Sequence, residues 1–285
     1  GDSNKEVIEM LPPVLFIIKK EFSDSIRSRW LIAFTVITFF LVIGLPFVVA
    51  YSLGLMAPTI QTLISGTSEI VYPFLPLIAL PIGSAALVGE RDRNTLELLL
   101  SQPISKINVF LGKFFGMFFA VCSAITIGMG VAALVIMEAP TLEYFYVLVI
   151  AYGLTAAMLG LALMISAFSK DRSMALGVAL FFWFLFAVLI DMGFLSLVVT
   201  VAFDPVYLIP IVAANPLELV RQITLYALLV GADFAVNLAT LGPLGIAMVQ
   251  VFGAEGIKPF LYTTMAVWIL APTITAFVTF IRKDI

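Results

Sequence analysis

GERDRNTLELLLSQPIS, residues 89–105, opens on alternating charges, runs into leucines and is then broken by a proline. It stands between two apolar stretches, Ile70 to Gly89 and Val109 to Met137, each long enough to cross ~30 Å of hydrocarbon as a helix of about 20 residues. A charged island between two such stretches is a loop at a membrane surface. Working outward, four more apolar stretches qualify as spans: Leu31 to Tyr51 before it, then Phe145 to Phe168, Met174 to Val201 and Phe260 to Ile281 after it. Six spans bring the chain back to the side on which it began.

The basic residues fix that side. Of the 15 Lys and Arg residues, only Arg221 and Lys258 fall on the far side of this ladder. The other 13 gather before span one (Lys5, Lys19, Lys20, Arg27, Arg29), after span two (Arg91, Arg93, Lys106, Lys113), after span four (Lys170, Arg172) and at the end (Arg282, Lys283). Positive charge near span ends resists translocation, so both termini and the 89–105 loop are expected in the cytoplasm, in an inner or cytoplasmic membrane. With 62% hydrophobic and 12% charged residues the chain is a membrane protein, and its net charge of −3 matters less than where the cations sit. No basic nucleic-acid face is present. The absence of His removes the commonest metal ligand and general base, and the lone Cys122, inside span three, forms no disulfide framework. Gly1 to Arg29 is not patterned as a cleavable signal, and a start without Met reads as processed, trimmed or tagged.

Before span one, Leu15, Ile18, Phe22, Ile26 and Trp30 recur at helical steps, with Lys19, Lys20, Glu21, Asp24 and Arg27 between them. This predicts an amphipathic helix lying in the inner interface, a membrane-surface elbow that can also touch a cytoplasmic subunit through Lys20, Glu21, Phe22, Arg27, Arg29 and Trp30. In the loop, Thr95 can start a short helix whose Leu96, Leu99 and Leu100 share one face; Pro103 stops it, and Ser105 can cap the next helix. A short surface helix with an apolar stripe needs a partner, and flanking charges set its register.

This loop carries a resemblance. Glu90, Thr95-Leu96-Glu97, the leucines, Ser101, Pro103, Ser105 and Gly112-Lys113 resemble the signature of ABC-2 type permeases of ABC exporters, with Asn94 where that family usually carries Gly. Asn tolerates the left-handed backbone that such a turn uses. The resemblance implies that the segment at about 90–105 is a coupling helix taking force from an ATP-binding subunit, through Glu90, Arg91, Arg93, Thr95, Leu96, Glu97, Leu99, Leu100 and Pro103. It further implies six spans per permease, two permeases and two ATPase copies per transporter, and ATP and Mg bound by the partner ATPase while this chain binds no cofactor. Within the family the chain is most similar to permeases of the systems that mature the copper sites of nitrous oxide reductase. That similarity rests on Lys20-Glu21-Phe22-Ser23-Asp24, Arg27-Ser28-Arg29-Trp30, Trp183-Phe184-Leu185-Phe186 leading to Asp191, and Asn215-Pro216-Leu217-Glu218-Leu219-Val220-Arg221. An extracytoplasmic copper-maturation protein is the partner it implies, with export of lipid, drug, peptide or polysaccharide left open. Met117, Met129, Met137, Met158, Met164, Met192 and Met265 are scattered over several spans and read as filler rather than a Cu(I) path.

The connection at about 202–259 is too apolar for a solvated loop and is expected to fold back onto the bilayer. Asn215 is placed to cap a helix, Pro216 to occupy its first turn and Glu218 to complete a capping-box-like start, with the helix running to about Gly231. After Leu241-Gly242-Pro243-Leu244-Gly245, a second short helix can run to Phe252 before Gly253. The pair resembles the re-entrant outer helices of this exporter class, with Asn215, Pro216, Glu218 and Arg221 as an outer gate or partner contact; interfacial helices that only thicken the outer rim are the plainer alternative. Asp191 is an acid well inside a span, ~25 Å up a helix begun at Met174, and is read as structural in preference to a proton or ion relay. Gly112 and Gly116, and Gly153, Ala156, Ala157 and Gly160, are close-packing faces.

An enzyme reading fails. Gly112-Lys113 lacks the upstream glycine and following hydroxyl of a phosphate loop, and Gly128-Met129-Gly130 lacks a third glycine and sits inside a span. Intramembrane proteolysis needs a second catalytic group that Asp191 does not have. No metal site is expected. The expectation is therefore an all-α polytopic membrane protein: residues 1–30 an N-terminal segment with the interfacial helix, residues 31–285 a six-span ABC-2 type domain with two short re-entrant outer helices. Its rivals are an ion-driven secondary transporter, which requires repeats and midplane polar residues that the sequence does not offer, and a mechanical membrane anchor for an extracytoplasmic partner.

Overall fold

In hydrocarbon every backbone N–H and C=O must be satisfied within the protein, so apolar stretches of this length fold as helices. The computed structural model describes residues 13–52, 54, 60–92, 104–137, 142–190, 204–229 and 242–282, and among these there are helices and no strand. The N-terminal helix α1 is Pro13–Ile26, followed by α2 (Arg29–Ser52), α3 (Ile60–Ser84), α4 (Val88–Asp92), α5 (Lys106–Met137), α6 (Leu142–Phe168) and α7 (Arg172–Phe184), which runs on as a π-helical turn, Leu185–Leu189. A 3₁₀ turn at Pro205–Leu208 leads into α8 (Ile209–Ala214), α9 (Pro216–Leu229) and α10 (Gly242–Arg282).

Six helical segments are long and apolar enough to span a membrane: Arg29–Ser52, Val71–Asp92, Lys106–Val131, Tyr144–Phe168, Arg172–Leu189 and Glu255–Arg282. They coincide with the six spans expected from hydropathy, with shifted ends. Helix α3 already begins at Ile60, although Pro73, Pro76 and Pro81 lie inside it. Each proline removes one ladder bond, to the carbonyl four positions before it, and loosens the helix locally; separately, Pro73 O accepts from the Trp183 indole at 2.9 Å and Pro81 O from Ser84 Oγ at 3.2 Å. The sixth span starts at Glu255, five positions before the expected Phe260, because α10 continues across a break at Gly253, where φ is +68° and ψ is 167°. That conformation suits glycine alone.

Span four is the hub. It packs on spans two, three and six and on α9, and its small residues make this possible. A Cβ on Gly160 would collide with the Thr273 hydroxyl, and Gly153 faces Met265. Opposite them, a Cβ on Gly83 of span two would fall 2.6 Å from that of Ala162. Without a hydrophobic drive between helices in lipid, this close approach is what holds them together. Spans three and six are joined at the basic end, where Phe110 meets Phe277 edge-on at 5.3 Å and Lys106 Nζ donates to Ile281 O at 3.3 Å.

Helix α1 packs along span three with a face that hydropathy does not mark. Ile17 and Ser25 are buried, whereas Leu15, Phe16 and Ile26 point outward, as does Trp30 at the start of α2, with 77% of its surface exposed. The docked face is set by Gly112 and Gly116: a Cβ on Gly116 would lie 2.8 Å from Ile18 O and 2.6 Å from Glu21 Cβ, and Gly112 lies as close beneath Ile17. The small-residue pair of span three is thus the seat of the N-terminal helix.

At the far end, Pro205–Ala214 and Pro216–Ala227 form one pair bent by 112°. Asn215 is the corner. Its Oδ1 accepts from Leu217 N at 3.0 Å and its Nδ2 donates to Phe186 O at 3.1 Å, tying the corner to the π turn of span five. The expected capping box does not close. Asn215 N donates to Ile211 O and Val212 O of the preceding helix, so Glu218 is not required there and binds elsewhere.

Candidate functional site

The charged groups of the basic end converge on Lys113. A lysine about two turns into a membrane helix ordinarily snorkels to water, but the flanking Gly112 and Gly116 bring α1 so close that its ammonium is enclosed, with 2% of the side chain exposed. Nζ donates to Glu21 Oε1 of α1 at 2.9 Å and to Glu90 Oε1 of α4 at 2.7 Å. Both carboxylates are largely covered, 14% and 18% exposed, and Lys20 stands at the edge of the cluster, 3.9 Å from Glu21 and 4.0 Å from Glu90. Two cations and two anions therefore balance, and one buried ammonium joins the N-terminal helix, span three and the end of span two. Removing one partner from such a group leaves an uncompensated buried charge, so the cluster ties the three elements to one another.

The end of span two is held from a second side. The helix breaks at residues 85–87, and Leu87 N and Val88 N both donate to Ser166 Oγ of span four at 3.0 Å. Beyond the break, Arg91 donates to Ser169 O, and Asp92 Oδ2 accepts from Arg172 N at 3.0 Å, while Asp171 caps span five through Met174 N at 2.8 Å. The end of span two is thus bonded to spans three, four and five.

Of the residues singled out in the sequence, Lys20, Glu21, Glu90 and Arg91 meet at this junction. Phe22 is half-buried beside it, and Arg27, Arg29 and Trp30 are exposed. Arg93, Thr95, Leu96, Glu97, Leu99, Leu100 and Pro103 lie outside the described residues, as does Asp191. The sequence reading missed Lys113 as the centre and Ser166 as the second anchor. The signal was present: a lysine within an apolar helix, with glycine at −1 and +3, marks a charge buried by close helix approach.

A second polar cluster lies at the far end. Glu218, 5% exposed, accepts from Arg221 at 2.7 Å and from Gln222 at 2.6 Å, and Arg221 also reaches Glu69 of α3, just before span two, at 3.1 Å. Tyr72 OH bonds Thr224 Oγ1 at 2.8 Å and donates to Val147 O at 3.4 Å, and the Trp268 indole donates to Ala213 O at 2.9 Å. The bent pair is fastened to spans two, four, five and six. Among the described residues no group of three or more His, Cys, Asp or Glu is arranged to hold a metal ion.

The model of the ABC-2 family transporter proteins matches residues 15–285, nearly the whole chain. The chain belongs to the ABC-2 transporter family. It is 32% identical over 237 residues to a protein of Stutzerimonas stutzeri named as the probable ABC transporter permease protein NosY, covering 79% of this chain and 86% of that one. It is also 32% identical over 226 residues to the protein of the same name in Pseudomonas aeruginosa, covering 75% and 82%. The ABC-2 relatives are permease subunits, and this chain is a multi-pass, NosY-like ABC-2 permease whose family implies an ABC ATPase partner.

Proposed function

We propose that this permease couples ATP hydrolysis by a separate ATPase to movement at the far end of its bundle, as a dimer served by two ATPase copies. ATP and Mg are bound by that partner. The observation that carries the reading is the Lys113 junction, where Glu90, at the threshold of the loop with the family's signature, shares one buried ammonium with Glu21 of the N-terminal helix. Force applied to the 90–105 segment would arrive at one ion cluster and leave along three helices. The side on which 13 of the 15 cations lie is the cytoplasmic side of the inner membrane in this reading, which puts both termini and the ATPase there. The bent pair at Asn215 is then the extracytoplasmic gate or partner contact.

The narrower reading is support of copper-site maturation of nitrous oxide reductase, through an extracytoplasmic maturation protein. Its support is the identity to two NosY permeases and the motifs around Lys20, Trp183 and Asn215. Replacing Leu99 and Leu100 with Asp is expected to abolish co-purification of the ATPase while the permease remains folded in mild detergent. Unchanged co-purification would sink the coupling role of that segment. Mass spectrometry of the wild-type complex decides the narrower point: an ATPase with a copper-maturation protein supports it, whereas an ATPase with an unrelated exported molecule points to general export.

A further inference from the structure

A cavity of about 590 Å³ opens beside Lys113, between α1, the end of span two and the start of span five. Its rim carries Lys20 and Asp24 from α1 and Arg172 from span five, with Glu21, Glu90 and Lys113 at its wall, and Ile82, Ala85 and Ala86 form an apolar floor. Three cations and three carboxylates make the lining neutral in sum, so it suits a ligand that is itself a zwitterion. The Lys113 ammonium is already satisfied by Glu21 and Glu90. The groups turned to solvent are Lys20, Arg172 and Asp24, all exposed, which is two cations for a phosphate and one carboxylate for an ammonium.

Two observations say what kind of molecule brings these charges. Leu15, Phe16 and Ile26 are exposed on α1 beside the exposed Lys19, Lys20 and Asp24, and Trp30 is exposed at the start of α2, an amphipathic pattern that suits the boundary between headgroups and acyl chains. Next, an apolar groove of about 220 Å³ lies between spans one and three, lined by Leu31, Val36, Ala120, Ala124 and Ile127. It begins one helical turn deeper than Met117, which borders the charged cavity on the same face of span three. The charged cavity and the apolar groove next along span three offer a place for a polar headgroup and for part of one acyl chain.

We propose that this cavity binds a phospholipid carrying a phosphate and a primary ammonium, of the phosphatidylethanolamine class, with the phosphate between Lys20 and Arg172, the ammonium on Asp24 and one acyl chain in the groove. A primary ammonium has N–H donors for Asp24, whereas the quaternary ammonium of phosphatidylcholine has none. A net anionic lipid meets a lining with no net positive charge. The proposal goes beyond the force-transmission reading and does not depend on it, since it concerns what fills the junction and not what pushes it.

The test is native mass spectrometry of the full-length, delipidated permease titrated with phosphatidylethanolamine, phosphatidylcholine, phosphatidylglycerol and soluble glycerophosphoethanolamine. Phosphatidylethanolamine is expected to be retained at roughly tenfold lower concentration than phosphatidylcholine, the worth of one charge-assisted hydrogen bond. The Lys20→Gln/Arg172→Gln variant should lose about tenfold in retention, and Asp24→Asn should remove the preference for ethanolamine over choline. All three positions are exposed, and a thermal melt of each variant in detergent checks that it remains folded. Equal retention of the two zwitterionic lipids, a preference for phosphatidylglycerol, or variants that bind as wild type does would each overturn the proposal. Binding of the soluble headgroup as tight as that of the lipid would overturn it too, by assigning the cavity to a small metabolite.

Discussion

Replacing Lys113 with methionine preserves the length of the side chain and removes the charge that Glu21 and Glu90 share. At an effective dielectric of about 20, each contact at 2.9 and 2.7 Å carries roughly 6 kcal/mol of attraction, most of it offset by the cost of drying the charges. What the variant loses is the balance: two carboxylates, 14% and 18% exposed, then face one another. Breaking a buried pair in this way costs about 3–5 kcal/mol. Lys20, 46% exposed and within 4.0 Å of both acids, recovers about 1 kcal/mol, because an exposed ion pair is worth no more. A net loss of about 3 kcal/mol in the seating of α1 on span three corresponds to roughly a hundredfold shift toward the undocked helix. Hydrogen exchange of the purified permease reads this directly: amides of residues 13–26 should exchange about a hundredfold faster, those of span four should not change. The triple variant K113M/E21Q/E90Q, which removes all three charges together, should return most of the protection. If K113M alone leaves exchange over 13–26 as in the wild type, glycine packing and not charge holds the junction, and the reasoning is wrong.

Other outcomes follow from the same geometry. Gly116→Leu places a side chain where Ile18 O and Glu21 Cβ already lie within 2.8 Å, so it should expel α1 and expose the Lys113 cluster, costing about 1–3 kcal/mol by the usual penalty of overpacking; a thermal melt in detergent and exchange at 13–26 check it. Asn215→Ala removes both the helix cap and the tie to Phe186 and should lower stability by about 1–2 kcal/mol, seen as a lower Tm, whereas Asn215→Asp keeps the cap and should lose less. Gly253→Ala forces a side chain onto φ +68°, ψ 167° and should cost about 1–3 kcal/mol, with faster exchange confined to the arms of α10 on either side.

The spans were legible because hydropathy in a membrane is decisive, and their ends were not, because a helix continues past its apolar core wherever its backbone remains bonded. Ile60 to Glu69 shows this, since it is helical before the apolar run of span two begins. The docked face of α1 was hidden for a different reason. In a water-soluble protein the large apolar residues would mark the buried side, but here Leu15, Ile26 and Trp30 are exposed, and burial goes to Ile17 and Ser25, with Glu21 largely covered, on the side of two glycines. Asn215 was readable as a cap from local chemistry alone. Glu218 was not, because its choice of Arg221 and Gln222 over Asn215 N was settled by the preceding helix, whose Ile211 and Val212 carbonyls had already taken that amide. Lys113 became central only through two partners 92 and 23 positions away.

The position of span four has a consequence for how the chain is made. Buried over 72% of its apolar window, it is enclosed by spans two and three, which precede it, and by α9 and span six, which follow it. When span four leaves the ribosome, half of its walls do not yet exist, so Gly153 and Gly160 must wait against lipid until Met265 and Thr273 arrive more than 100 positions later. The last helix therefore completes the interior rather than extending it. A chain cut at Gly253 would insert its first five spans and still present an unfilled glycine groove to the bilayer, a lesion that membrane quality-control proteases are equipped to find.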